Sequence, residues 1–242
     1  MIKNILLYLF AFVILFQNIS AQTDKTEETI MKEAFDRFSK SPFSSIYSTG
    51  GAFYSGDDLD QMPMLVNYYM NGESKFISAV DGLFGGAIMD AKVIKNQLTL
   101  NIAEEDAPIK DNFNNFSLEA PIMRFPKVYA DILDYKFIDL NKTIISSNIT
   151  LGKNWHTLKI GYRDRVDTIV FSASTYRIRN MSIAFMNNSV DITLGSYTTV
   201  NNIPYPKEFI MKSKTDNREL RYNITNVEIG ERAKREASKL GW

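Results

Sequence analysis

The sequence has no cysteine. Disulfides are excluded, and so is the acylated cysteine that anchors a bacterial lipoprotein. Small secreted domains without a large core usually need disulfide staples, but a chain of this length buries a sizeable core without them. There is one histidine, His156, beside Trp155 at the start of a β-like run. A histidine-based triad needs a nucleophile and an oriented partner, and no G-x-S-x-G elbow is present. Zinc sites draw on several His or Cys ligands, so no metal is expected and His156 reads as an ordinary strand residue. Excess charge of one sign is also missing: 28 acidic residues balance 28 basic ones. That removes the basic stripe of a nucleic-acid partner. No apolar run reaches the roughly 20 residues of a membrane-spanning helix, and no glycine-rich phosphate loop precedes a helix.

The acidic residues that are present form no catalytic pattern. Asp57-Asp58-x-Asp60 has the composition of a metal loop but lacks the Gly and the distant Glu of an EF-hand, and reads as a solvated turn. Asp164 and Asp167 fall in a hairpin turn and at a strand start. Catalytic residues and cofactors are therefore expected to be none, and the chain is read as not an enzyme.

The first residues carry an address. Lys3 precedes an unbroken apolar run from Ile5 to Phe16, and Ser20-Ala21-Gln22 offers small residues for cleavage after about Ala21. This is the layout of a secretory signal peptide over 1–21, followed by a single domain over 22–242. Export without cysteine fits a bacterial periplasm, so the mature chain is expected there, soluble.

Asp24 to Lys40 reads as an amphipathic helix, with Ile30, Met31, Ala34, Phe35 and Phe38 on one face. Asp24 and Glu27 make a capping box, and Ser41-Pro42 stops the helix. From there the period is two. Met64, Val66, Tyr68 and Met70 alternate with Leu65, Asn67 and Tyr69, and Asn71-Gly72 is a strong hairpin signal. Phe76, Ser78 and Val80 share a face of the next run; Met89 with Val93 and Leu98 with Leu100 follow. Ala103 to Leu140 interrupts this rhythm with the acidic Glu104-Glu105-Asp106 and a helical stretch, Pro121 to Tyr135. Strands resume at Thr143 and continue to Ile224, with Met181, Ile183 and Phe185 sharing a face. A basic tail from about Glu231 to Trp242 reads as a solvated, fraying helix, the alternative being a contact for an envelope protein partner.

A sheet with one apolar face must cover it, and the two helical segments are long enough to do so. The expected fold is mainly β (α+β): a curved antiparallel sheet of about ten strands, an unclosed barrel, with helices on its concave side. Met64, Val66, Tyr68, Met70, Phe76, Met89, Leu100, Met181, Ile183 and Phe185 are the candidate lining of a lipid cavity. Such sites are lined by apolar and aromatic side chains, and Met adapts to chains of variable length; the alternative is that the same residues fill a dry core. Asp81-Gly82-Leu83-Phe84-Gly85-Gly86 joins two strands with two large apolar residues between glycines. Leu83 and Phe84 either fold back into the core or project as an apolar tip, which at roughly 1.5–3 kcal/mol per buried side chain would make a weak, transient membrane contact.

Three stretches in this order resemble the LolA/LolB superfamily of periplasmic lipoprotein carriers and outer-membrane lipoprotein receptors. They are Gly82 to Ala91, Trp155 to Arg163, and Tyr197 to Ile210, the last containing Ile203-Pro204-Tyr205-Pro206. The resemblance spans about Glu27 to Ile229. It implies an incomplete β-barrel with a helical lid that binds lipoprotein acyl chains, and it places Leu83 or Phe84 at the receptor's projecting residue. The carriers' early-strand arginine latch has no counterpart in Ser45 to Tyr54. The implied function is a periplasmic carrier taking acyl chains of lipoproteins, or another lipid, from an envelope donor to an acceptor. The alternative is a non-enzymatic protein-binding or sensing module of the envelope on the same fold.

Overall fold

A computed structural model describes residues 25–56, 59–103, 106–113, 126–185, 189–214 and 218–242. The expected signal peptide over 1–21, Asp57-Asp58, Glu104-Glu105, Pro121–Phe125, Asn187-Asn188 and Asp216-Asn217 lie outside the described residues.

Helix α1 (Glu27–Phe38) starts at Thr26, whose hydroxyl accepts from the Thr29 amide at 3.3 Å. The N-cap is thus Thr26, not the expected Asp24. Glu27 and Glu28 in the first turn and Arg37 in the last complement the helix dipole. Ile30, Ala34 and Phe38, at helical spacing, are its buried face.

The strands are β1 (Ser45–Gly56), β2 (Leu59–Asn71), β3 (Ser74–Asp81), β4 (Ala87–Ile94), β5 (Gln97–Ile102), β6 (Ile109–Asn112), β7 (Ile144–Thr150), β8 (Trp155–Tyr162), β9 (Arg165–Ser172), β10 (Ile178–Phe185), β11 (Ser189–Val200), β12 (Ile203–Ser213) and β13 (Glu219–Ile229). They form one thirteen-stranded antiparallel sheet in the order β6-β5-β4-β3-β2-β1-β13-β12-β11-β10-β9-β8-β7. Two meanders meet where β13 returns to pair with β1, and helix α2 (Pro126–Leu133) connects them. The edges β6 and β7 do not pair, so the barrel is unclosed. The strand count exceeds the expected ten partly because β6 falls in the interrupted segment. With four residues and Ile109 as its only apolar one, it shows no alternation to read.

Bulges curve the sheet. The one at Thr49/Gly50 shifts the β1–β13 register. A Cβ on Gly50 would lie 2.1 Å from the Asn223 carbonyl oxygen, so only glycine permits that approach.

The concave face holds the main core. Phe38 of α1 meets Phe137 and Phe171 edge-on, with ring centroids 6.1 and 5.4 Å away. Tyr129 of α2 sits among Tyr68, Phe209 and Tyr222, which places α2 across β2, β12 and β13. The amides of Phe137 and Ile138 both donate to the Phe38 carbonyl, tying the turn after α2 to the end of α1.

A third helix, α3 (Glu231–Lys239), packs on the convex face. Ala233 and Ala237 are fully buried against a separate apolar cluster with Tyr47 and Tyr69. Two expectations are corrected here. The basic tail is a docked helix rather than a fraying one, because its small residues let it lie close to the sheet. Phe76 faces this convex cluster, stacked between Tyr69 and Trp242, and not the concave interior. Its strand carries apolar residues on both faces, and Ile77 and Ala79 are the ones that point inward.

Candidate functional site

The concave interior gathers side chains from both meanders. Met64, Val66, Tyr68, Met70, Leu100, Met181 and Ile183 belong to one buried cluster with residues of α1 and α2. Met89 and Phe185 are partly buried against it. Helix α2 occupies this interior, so a chain entering it must displace α2 or slide beside it.

Helix α2 and the turn after it are tied down by polar groups inside an apolar surround. Tyr68 donates to one carboxylate oxygen of Asp134, and Lys75 pairs with the other. Asp134 is almost fully buried. Burial raises its pKa above the usual carboxylate value, against the lowering by Lys75 and Tyr68. Burial and the Asp134 charge push the Tyr68 hydroxyl well up, so it remains a donor. Tyr205 donates to the Leu133 carbonyl at 2.7 Å. That caps one of the carbonyls that every helix end leaves open.

A second polar group sits at the other flank of α2. Lys127 pairs with Asp131 at 2.6 Å and with Asp139 at 3.4 Å. Burial opposes the Lys127 charge, yet the two carboxylates outweigh it and raise its pKa. The Asp139 amide donates to the Tyr162 hydroxyl. Arg165 meets Asp167 at 3.0 Å. Burial of Asp167 lifts its pKa to about 6 in spite of Arg165, and its Oδ1 has no hydrogen-bond partner among the described residues. Since Lys127 also lies over the Phe113 ring, just past β6, this group spans the opening between the two halves of the sheet.

Sequence reasoning missed these ties. Asp167 reads in sequence only as a strand-start residue, and Lys75 and Asp134 draw no functional reading. The available signal was charge within apolar runs: Lys127 and Asp131 at helical spacing, and Asp134 directly after Ile132-Leu133.

Leu83 and Phe84 project into solvent, 72% and 88% exposed. The hairpin tip is ordered by Asp81, whose carboxylate accepts from the amides of Leu83 at 2.6 Å and Phe84 at 2.9 Å. Gly85 closes it at φ +73°, a conformation that favours glycine. On the adjoining convex surface Phe53 and Leu65 are about half exposed, and register places Phe53 beside Pro63 and Leu65 beside Val80. The tip therefore continues an apolar strip.

His156 is buried edge-on to Phe171, 5.5 Å between centroids, and burial lowers its pKa. Among the described residues there is no cluster of His, Cys, Asp and Glu fit to hold a metal. No described helix is long and apolar enough to cross a membrane.

No protein-family model and no curated protein matches the sequence. Solved structures do resemble the fold. A LolA superfamily protein from Nitrosomonas europaea superposes with a TM-score of 0.61 at 10% identity, over 86% of this chain and 94% of that one. A structure described as an outer membrane lipoprotein-sorting protein domain, from Vibrio parahaemolyticus, gives 0.57 at 11% identity, over 84% and 91%. A DUF1329 family protein from Desulfovibrio piger gives 0.57 at 9%, over 84% and 90%. With an unclosed sheet holding helices in its concave face, the chain has the LolA/LolB-like fold.

Proposed function

We propose that the chain is an exported, non-enzymatic carrier that holds acyl chains of lipoproteins, or another lipid, in its concave interior. It would act in the periplasm after loss of residues 1–21, between an envelope donor and an acceptor. The observation that carries this reading is α2: a helix that fills the apolar interior with Val128, Tyr129, Ala130, Ile132 and Leu133 and is joined to the sheet by side chains alone, with no strand pairing. Such a helix can leave, and its apolar seat then suits an acyl chain. The exposed Leu83-Phe84 tip supports transient contact with a membrane surface. Native mass spectrometry of protein purified from its own compartment tests the reading, together with uptake of a fluorescent fatty acid. Co-purified lipid and saturable uptake are expected; absence of both would overturn it.

The apolar strip of Phe53, Leu65, Leu83 and Phe84 favours a second reading, an envelope protein-binding module. It predicts a stable stoichiometric protein complex that is lost in Leu65→Ser with Phe84→Ser, and no lipid uptake.

A further inference from the structure

Four parts of the chain converge at one end of the interior: the last turn of α1, the turn after α2, the β9–β10 turn and β11. Arg37 lies over the Tyr176 ring, its guanidinium carbon 4.5 Å from the centroid. Arg177 lies over Tyr197 at 5.7 Å. Both positive charges act on the Tyr135 hydroxyl, opposing the upward push of burial. Both guanidinium groups are on exposed residues, and neither forms an ion pair with a carboxylate among the described residues. The Arg37 charge acts on the carboxylate of Glu33, which is itself engaged by Lys25 and by the Tyr176 hydroxyl.

The backbone singles out the same place. Seven described non-glycine residues have positive φ. Lys95-Asn96 and Asn201-Asn202 are two-residue hairpin turns, closed by the pairs Ile94–Gln97 and Val200–Ile203, where positive φ is required. The other three are Tyr135, Tyr176 and Ser196, next to Tyr197. Tyr135 follows α2 where helices usually place glycine: the Lys136 amide reaches back to the Asp131 carbonyl and the Tyr135 amide to that of Ile132. Bulky residues in this conformation are strained, and such strain gathers at ligand clamps. Here it falls on Tyr176, on Ser196 beside Tyr197, and on Tyr135 between the two arginines; Tyr176 joins the buried core through Phe38 and Phe171, and Tyr135 joins it through Phe137.

We propose that Arg37 and Arg177, stacked on Tyr176 and Tyr197 around the Tyr135 turn, form a rim subsite for the oxyanion headgroup, phosphate or carboxylate, of an amphiphile whose chain lies in the interior. The proposal rests on the carrier reading. Planar guanidinium forks match phosphate and carboxylate oxygens two at a time, while the aromatic wall below accepts the first methylenes.

The test is calorimetric titration of the full chain with dodecyl phosphate, dodecanoate and dodecyl maltoside below their micelle concentrations, and with inorganic phosphate. The two anionic amphiphiles are expected to bind at least about tenfold tighter than the maltoside. Arg37→Gln with Arg177→Gln should abolish that gap and leave the maltoside affinity unchanged. Arg37→Lys with Arg177→Lys keeps the charge without the fork and should retain only part of the gap. Equal affinities in the wild type, or a gap that survives the glutamines or stays whole in the lysine pair, would overturn the subsite while maltoside binding kept the carrier reading standing. Binding of inorganic phosphate lost in the glutamine pair would reassign the arginines to a free anion and overturn the headgroup role. Failure of all three amphiphiles would overturn the carrier reading, and the subsite with it.

Discussion

Single residues decide how firmly α2 is held. Asp134 is ionisable, nearly inaccessible, and satisfied by two partners from neighbouring strands, Tyr68 and Lys75. Removing one member of a buried pair costs about 3–5 kcal/mol, whereas replacing both with apolar groups is often neutral. Asp134→Ala is expected to lower the stability by about 3 kcal/mol in urea unfolding. Lys75→Met with Asp134→Leu should recover most of it. An Asp134→Ala variant as stable as the wild type would show that the pair does not secure the helix. Asp167 gives a pH signature. Its folded pKa is raised to about 6 from 3.8, so the folded state binds its proton more tightly than the unfolded chain. Its penalty is absent below about pH 4, grows as pH rises, and is complete above about pH 6. At about 1.4 kcal/mol per pH unit, this removes on the order of 2–3 kcal/mol across that window. Asp167→Asn should flatten this fall in a pH series of unfolding curves; an unchanged slope between pH 4 and 6 would place the titration elsewhere.

Elements behave differently on the two faces of the sheet. The concave helices share one large core with both meanders, but α3 rests on a small satellite cluster of Tyr47, Tyr69, Phe76 and Trp242. Elements with few buried apolar contacts open at lower free energy than the core. The chain has two tryptophans, so Trp155→Phe leaves Trp242 as the only reporter. Its emission is expected to shift red at lower urea than the loss of β-sheet circular dichroism. Coincident transitions would mean that α3 unfolds with the core. At the β1–β13 junction, Gly50→Ala would drive a Cβ into the Asn223 backbone. The loss should exceed about 2 kcal/mol, and Gly51→Ala, with open space around its position, is the control expected to cost far less.

At the scale of the molecule, the two meanders form one continuous sheet across β1 and β13, and α2 with its flanking charges bridges the concave side. On the carrier reading the sheet is a rigid shell and α2 the insert that gives way to the bound chain. Amide exchange with and without a fluorescent fatty acid reads that division directly: the amides of Tyr129 to Tyr135 should exchange faster when ligand is bound, while the paired amides of β1 and β13 keep their protection. Uniform protection of α2 on saturation would show that the chain is accommodated without moving the helix.

Much of this plan was open to reading in one dimension. The absence of cysteine excluded disulfides without any structure. The helical spacing of Ile30, Ala34 and Phe38 located α1, and alternation located most strands, because burying one face of a helix or sheet leaves a local period in the chain. The order of strands and covering helices pointed to an unclosed barrel. Three things were settled only by the tertiary structure. Which face of a strand points inward is one: Phe76 and Ile77 are adjacent and both apolar, and only the docking of α3 outside the sheet assigns Phe76 to the convex face. The partners of buried charge are another, since Lys75 and Asp134 lie far apart in sequence and meet because the sheet curves around α2. The third is the gathering of Arg37, Tyr135, Arg177 and Tyr197 at one rim. Periodicity records what each residue prefers as its neighbourhood; which distant residue supplies it depends on the closure of the whole sheet.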